Sequence, residues 1–247
     1  MNNYKLQARK SLLTHKKQFL AGILYIILYV LVSAVGVIIV FQSVALSTIK
    51  GYFVNYINFV LLFLLIEYYS SHENRPYFIF PKISRYLYCL ILSGIFSFML
   101  IILNLSMQIM QYIAPAEIMA PILFLILVVA LLLRCAAEYF MIFYIVASQR
   151  HKYVFHNLRS CLCLLAASIK EIAFFELRFF YYWVLDLIFS IIGGFLTFFS
   201  SNAYFSFLFL YPSLFGIGIV LVPYYTIAKI NFCKNISQKN QAQTITE

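Results

Sequence analysis

The chain has 247 residues, of which 64% are hydrophobic, 19% aromatic and only 11% charged, and its formal net charge is +10. Soluble domains carry roughly 25% charged residues, so this composition excludes an ordinary soluble domain and indicates a membrane protein. Nucleic-acid binding would also suit a basic chain. The lysines and arginines, however, lie between long apolar stretches, and no nucleic-acid partner is predicted.

The main feature of the sequence is a series of six long apolar stretches. A helix needs about 20 apolar residues to cross a bilayer, and each stretch is close to or above that length. We therefore predict an all-α polytopic fold, with one six-helix transmembrane domain over residues 19–233. The predicted spans are Phe19–Val44, Phe53–Ser71, Tyr86–Ile113, Ile118–Ala147, Phe174–Phe199 and Ala203–Ala228.

The positive charges indicate how these spans are oriented. Most lie before the first span, within residues 72–85 and 150–171, and after the sixth span, whereas the opposite loops hold only Lys50 and Glu117. Lysines and arginines stay on the cytoplasmic side, so we predict a multi-pass protein of the cell membrane with both termini in the cytoplasm. The basic rim should attract anionic lipids.

Three segments flank the spans. Residues 3–18 mix apolar and basic side chains and predict a basic interfacial helix, within a terminal region of residues 1–18. Residues 152–173 predict a second amphipathic interfacial helix. Residues 234–247 are polar and predict a disordered cytoplasmic tail. In the sixth span, Pro223 and nearby glycines predict a kink or a close helix approach.

Charged residues occur inside two predicted spans. Arg134 and Glu138 lie four residues apart on one helix face, and Asp186 lies at a similar depth in the fifth span. These three side chains could form a structural pairing that holds two helices together, which we favour. They could also form a gate or a proton-coupled site, or extend to the interface. Glu176 lies at the mouth of the fifth span, where solvation is the default expectation.

A polar stripe follows one face of the third predicted span. Such a stripe must turn away from lipid, either toward partner helices as hydrogen-bonding contacts or toward a wet cavity. We favour helix contacts, and Asn55 and Asn58 in the outer half of the second span could meet the outer end of the stripe. The stripe residues are Ser93, Ser97, Asn104, Gln108 and Gln111.

No motif for chemistry is recognisable in the sequence. It contains no phosphate-binding G-x-x-x-x-G-K-[ST] loop and no H-E-x-x-H zinc motif. We therefore predict no catalytic, metal-binding or cofactor-binding residues, no cofactor, and a protein that is not an enzyme. If the chain serves ATP-driven transport, the ATPase would be a separate subunit.

The C-terminal half resembles a known family of membrane proteins. The carrying segments are Leu133–Tyr139, Phe143–Ser148, Asn157–Ser160, Phe174–Leu177, Leu221–Tyr225 and Ile230–Phe232. They are similar to the uncharacterised bacterial integral membrane proteins grouped as the DUF975 family. The chain departs from that pattern at Ala167–Glu171, where members usually have a glycine with basic neighbours. The resemblance implies a six-helix membrane protein of unknown activity.

Three functions fit these patterns. The first is a transport permease, such as the membrane subunit of an exporter driven by a separate ATPase. The second is a non-transporting scaffold, assembly or immunity protein. The third is a self-contained ion- or proton-coupled carrier that uses Arg134, Glu138 and Asp186. Small residues on the fifth and sixth spans also permit a homo-oligomer.

Overall fold

The computed structural model describes residues 4–14, 16–38, 44–70, 83–113, 116–148, 154–182, 184–185, 188 and 217–246. Within these ranges the chain forms helices and no β-strand, as the sequence predicts. The main helices are α1 (Tyr4–Thr14), α2 (Lys16–Ile38), α3 (Val44–Ser70), α4 (Ile83–Ile113), α5 (Ala116–Ser148), α6 (Val154–Ala167), α7 (Ile169–Leu177) and α8 (Ile217–Thr246).

Four of these helices are long and apolar enough to cross a membrane. The apolar windows are Lys16–Gly36 in α2, Thr48–Ser70 in α3, Ile83–Leu103 in α4 and Val128–Ala147 in α5. They overlap the first four predicted spans. Much of the predicted fifth span and the first half of the sixth lie outside the described residues.

The outer faces of these helices are apolar, as a lipid-facing surface requires. On α2 the exposed positions recur every three or four residues, which places them on one face of the helix. The opposite face buries Tyr25, Ile26 and Val30. Apolar stripes of this length would favour aggregation in water but suit a bilayer. The exposed residues of α2 are Leu20, Leu24, Ile27, Leu31 and Val35.

Helix α8 packs against four other helices, α1, α2, α3 and α5. Gly22 of α2 permits the closest of these approaches. A Cβ atom added at Gly22 would lie 2.5 Å from Cγ of Pro223 on α8 and 2.8 Å from the Tyr69 hydroxyl on α3. A small residue is therefore required where the three helices meet. This is a close helix approach at Pro223, as the sequence predicts.

Several hydrogen bonds join the ends of different helices at one side of the bundle. The Tyr69 hydroxyl at the end of α3 donates to the Gln18 carbonyl at the start of α2, at 2.9 Å. Lys234 Nζ of α8 donates to the Ser70 carbonyl at 2.9 Å, and burial lowers the pKa of this lysine. Asn235 Nδ2 donates to the Tyr4 hydroxyl at 2.7 Å. The N-terminal helix and the second half of α8 thus lie at the same end of the bundle.

Three local predictions differ from the structure in their extent. Helix α8 continues to Thr246, where the polar composition predicts a disordered tail after Lys234. Packing explains the helix just after Lys234, since α1 lies against α8, and Ile236 and Ser237 are buried. The predicted helix over 152–173 is two helices, α6 and α7, because the chain turns at Ser168. The predicted N-terminal helix over 3–18 is α1, which ends at Thr14.

Candidate functional site

A lysine and two glutamates from three different helices meet inside the bundle. Lys229 of α8 is only 1% exposed, and its Nζ lies 2.9 Å from Oε2 of Glu138 on α5. The same Nζ lies 3.5 Å from Oε1 of Glu176 on α7. Together with Arg134, these residues form what we call the Lys229 cluster. It ties α5, α7 and α8 to one another.

Arg134 extends the cluster to α2. It lies one helical turn before Glu138 on α5, and its Nε is 3.9 Å from Glu138 Oε1. Its Nη1 donates to the hydroxyl of Tyr29 on α2, at 3.1 Å. The Arg134 guanidinium also lies 5.1 Å from the centre of the Tyr29 ring, within the range of a cation–π contact. Glu138 is therefore shared between two cations, Lys229 and Arg134.

Two tyrosines complete the surroundings of Lys229. Tyr139 and Tyr225 donate their hydroxyls to the two carboxylate oxygens of Glu176, at 2.6 and 2.5 Å. Their rings also lie 4.6 and 4.2 Å from Lys229 Nζ, measured to the ring centres. Hydrogen bonds to a charged acceptor are stronger than those between neutral groups. The tyrosines thus hold Glu176 while their ring faces stabilise the lysine.

The charges of the cluster balance. Arg134 and Lys229 are formally positive, and Glu138 and Glu176 are formally negative. Moving an ion into a protein interior costs several kcal/mol, and good geometry with further hydrogen bonds must offset this cost. Removal of one member would leave an uncompensated charge in the bundle. The arrangement of the cluster's helices therefore depends on paired charges as well as on apolar packing.

The predicted site residues are only partly brought together. Arg134 and Glu138 meet through their spacing of four residues on α5. Asp186 lies outside the described residues. Lys229 and Glu176 were missed, because the sequence places Lys229 after the last span and Glu176 at a solvated mouth. One signal for Lys229 was available in the sequence, since the apolar residues Ala228 and Ile230 flank it.

The polar stripe of α4 makes one contact between helices at its described positions. Asn55 Nδ2 of α3 donates to Ser97 Oγ at 3.1 Å. Ser93 is buried and donates within its own helix, to the Leu90 carbonyl at 3.2 Å. Oδ1 of Asn58 is buried and has no hydrogen-bond partner among the described residues. The remaining stripe residues are in α4, but their side chains lie outside the described part of the structure: Asn104, Gln108 and Gln111.

Neither a metal-binding group among the described residues nor a similar known protein was found for this chain. In the described ranges, no group of three or more His, Cys, Asp or Glu side chains could hold a metal ion. Comparison of the chain with protein-family models, curated proteins and solved structures found no match. The four apolar helices indicate a membrane protein.

Proposed function

We propose that this chain is a transport permease of the cell membrane, namely the membrane subunit of an exporter driven by a separate ATPase. The observation that carries this proposal is the burial of Lys229 between carboxylates from two other helices. Ionisable residues inside membrane bundles are costly and often mark a transport pathway or its gate.

The position of Glu138 between two cations favours helices that move relative to each other over a fixed helix arrangement. Its Oε2 lies 2.9 Å from Lys229 Nζ, and its Oε1 lies 3.9 Å from Arg134 Nε. A carboxylate between two cations can strengthen its contact with one as it releases the other. Such an exchange would let α5 and α8 shift relative to each other without leaving a buried charge unpaired. Transport requires two discrete helix arrangements of this kind.

The position of the helix ends supports a topology with both termini in the cytoplasm. Hydrogen bonds join the start of α2, the end of α3 and the second half of α8 at one end of the bundle. Lysines and arginines are concentrated in α1 and around these ends, as the positive-inside rule expects of a cytoplasmic face. With six spans, α1 and α8 would together present a cytoplasmic surface for an ATPase subunit.

Co-purification tests this proposal. The tagged full-length chain is isolated from its native membranes in mild detergent, and retained proteins are quantified by mass spectrometry. A second multi-pass membrane protein with the same tag and a similar abundance is the control. We expect an ATPase in stoichiometric amount with this chain only. Recovery without any ATPase would contradict the exporter proposal, and solute movement by the chain alone would then indicate a self-contained carrier.

One observation favours a second candidate, a non-transporting scaffold, assembly or immunity protein. The cluster joins four helices, and Glu176 accepts two tyrosine hydrogen bonds besides its contact with Lys229. Such a network can also lock helices in a single arrangement. The double variant Lys229→Met/Glu138→Gln, called the paired variant below, separates the two functions. A static lock tolerates this replacement if the chain still folds, whereas a moving gate loses transport.

A further inference from the structure

A large cavity lies outside the Lys229 cluster, where the N-terminal helix meets the first membrane-crossing helix. It has a volume of about 1010 Å³ and is bounded by α1, the start of α2, the first turns of α8 and Tyr182. Ligand pockets commonly measure about 300–1,000 Å³, so this cavity is at the upper end of that range. Its volume suits a ligand larger than a simple ion.

The lining of the cavity combines two cations with an apolar wall. Arg9 of α1 and Lys16 of α2 supply the positive charge. Neither side chain makes a hydrogen bond or ion pair with another described residue, and both are exposed. Leu12, Phe19 and Leu221 supply the apolar wall. A ligand that matches this surface has an anionic head and an apolar body.

The position of the cavity indicates where such a ligand would come from. Lys16 is the first residue of the membrane-crossing window Lys16–Gly36, so the cavity lies at the boundary between membrane and water. Basic pockets between membrane helices at such a boundary bind the head groups of anionic lipids. Arginine contacts phosphate oxygens through its planar fork, and lysine contacts them as a point charge.

We propose that this cavity binds one anionic phospholipid. Its phosphate lies between Arg9 and Lys16, and its acyl chains lie against Leu12, Phe19 and Leu221. The site differs from general attraction of lipids to a basic rim, because one molecule occupies a defined cavity between α1 and α8. The proposal requires a membrane-embedded chain but does not depend on transport, so it can fail while the exporter proposal stands.

Lipid titration followed by native mass spectrometry tests the site. The full-length chain in detergent is titrated with phosphatidylglycerol or with phosphatidylcholine that has the same acyl chains. The test variant is Arg9→Gln/Lys16→Gln. The control is Arg159→Gln/Lys170→Gln, which removes the same two residue types from exposed positions of α6 and α7. Glycerol phosphate and inorganic phosphate serve as soluble competitors.

We expect the wild-type chain and the control to retain one phosphatidylglycerol, with a preference of about tenfold or more over phosphatidylcholine, since each basic contact contributes about 1 kcal/mol. The test variant should lose that preference. Equal retention by the test variant would overturn the proposal. Displacement of the lipid by millimolar phosphate would also overturn it, because the site would then recognise a free anion. Equal binding of the two lipids by the wild-type chain would overturn it as well, because the cavity would then not select an anionic head group.

A second measurement on the wild-type chain avoids dependence on the folding of variants. A photoactivatable phosphatidylglycerol is incorporated in vesicles with the chain, and the cross-linked peptides are identified. We expect cross-links to residues 9–19 and to the first turns of α8, where the lining residues lie. Cross-links confined to other helices would overturn the proposal.

Discussion

Nζ of Lys229 lies 2.9 Å from Oε2 of Glu138, although 91 residues separate them in the chain. The lysine is almost fully buried, and its second carboxylate partner, Glu176, comes from a third helix. Because these two contacts join distant parts of the sequence, they form only when α5, α7 and α8 are packed together. The contact with Glu138 is also the contact that our functional proposal requires to rearrange.

Replacement of Lys229 by methionine should strongly destabilise the protein. The change leaves Glu138 and Glu176 without their buried cation, and breaking a buried ion pair from one side costs about 3–5 kcal/mol. We expect a clear decrease in the Tm of the chain in detergent, measured by intrinsic fluorescence. The paired variant should recover part of this loss, because it removes one positive and one negative charge together.

The control for this prediction is Lys239→Met. Lys239 lies 2.8 Å from Glu171, but both side chains are largely exposed, at 60% and 46%. Exposed ion pairs contribute little to stability, so no measurable change in Tm is expected. Equal losses for Lys229→Met and Lys239→Met would show that the buried cluster does not hold the helices together.

Replacement of Tyr225 by phenylalanine should destabilise the cluster through Glu176. The variant keeps the ring beside Lys229 but removes the hydroxyl that donates to Glu176 Oε2. A hydrogen bond to a charged group contributes about 1.5–3 kcal/mol, which is the expected loss in free energy of unfolding. Tyr56→Phe is the control, because the Tyr56 hydroxyl makes no hydrogen bond within the described ranges. A loss as large for Tyr56→Phe would contradict the assignment.

The close approach of α2 and α8 gives a prediction that does not involve charge. Gly22→Ala places a Cβ atom 2.5 Å from Cγ of Pro223, so the two helices must move apart. Overpacking of this kind typically costs about 1–3 kcal/mol. Gly51→Ala is the matched control on α3, since nothing lies within 4 Å of its added Cβ. We expect a lower Tm for Gly22→Ala only, measured in the same detergent.

The proposed orientation can be checked by labelling introduced cysteines. Cys163 is the exposed native cysteine among the five, so it is first replaced by serine. Lys50→Cys should then react with a membrane-impermeant maleimide in intact cells, because Lys50 is predicted outside. Lys239→Cys should react only after the membrane is opened. Labelling of both positions in intact cells would contradict a cytoplasmic C-terminus.

The membrane class could be predicted from the sequence, whereas the site could be predicted only in part. Long apolar stretches indicate spanning helices directly, because length and composition are local properties. Arg134 and Glu138 were predictable for the same reason, since their spacing places them on one helix face. The contacts of Lys229 with Glu138 and Glu176 depend on how α5, α7 and α8 pack, and no local pattern specifies that packing.

The C-terminal segment shows the same dependence on tertiary contacts. Its polar composition predicts disorder after Lys234, yet α8 continues to Thr246. Helix α1 packs against α8, and Asn235, at the start of this segment, donates a hydrogen bond to Tyr4, 231 residues earlier in the chain. Tertiary packing provides most of the stability of protein helices, which explains why composition alone failed here.

Uptake by inverted membrane vesicles tests whether the chain transports solutes with a separate ATPase. Three vesicle preparations are incubated with a cell extract and ATP. The first contains the wild-type chain with its co-purifying proteins, the second contains the paired variant with the same proteins, and the third contains neither chain. Accumulated solutes are compared by mass spectrometry, after the paired variant has been shown to fold. We expect solutes that accumulate with the wild-type chain and ATP but not with the paired variant. Identical solute profiles in all three vesicle preparations would contradict this expectation.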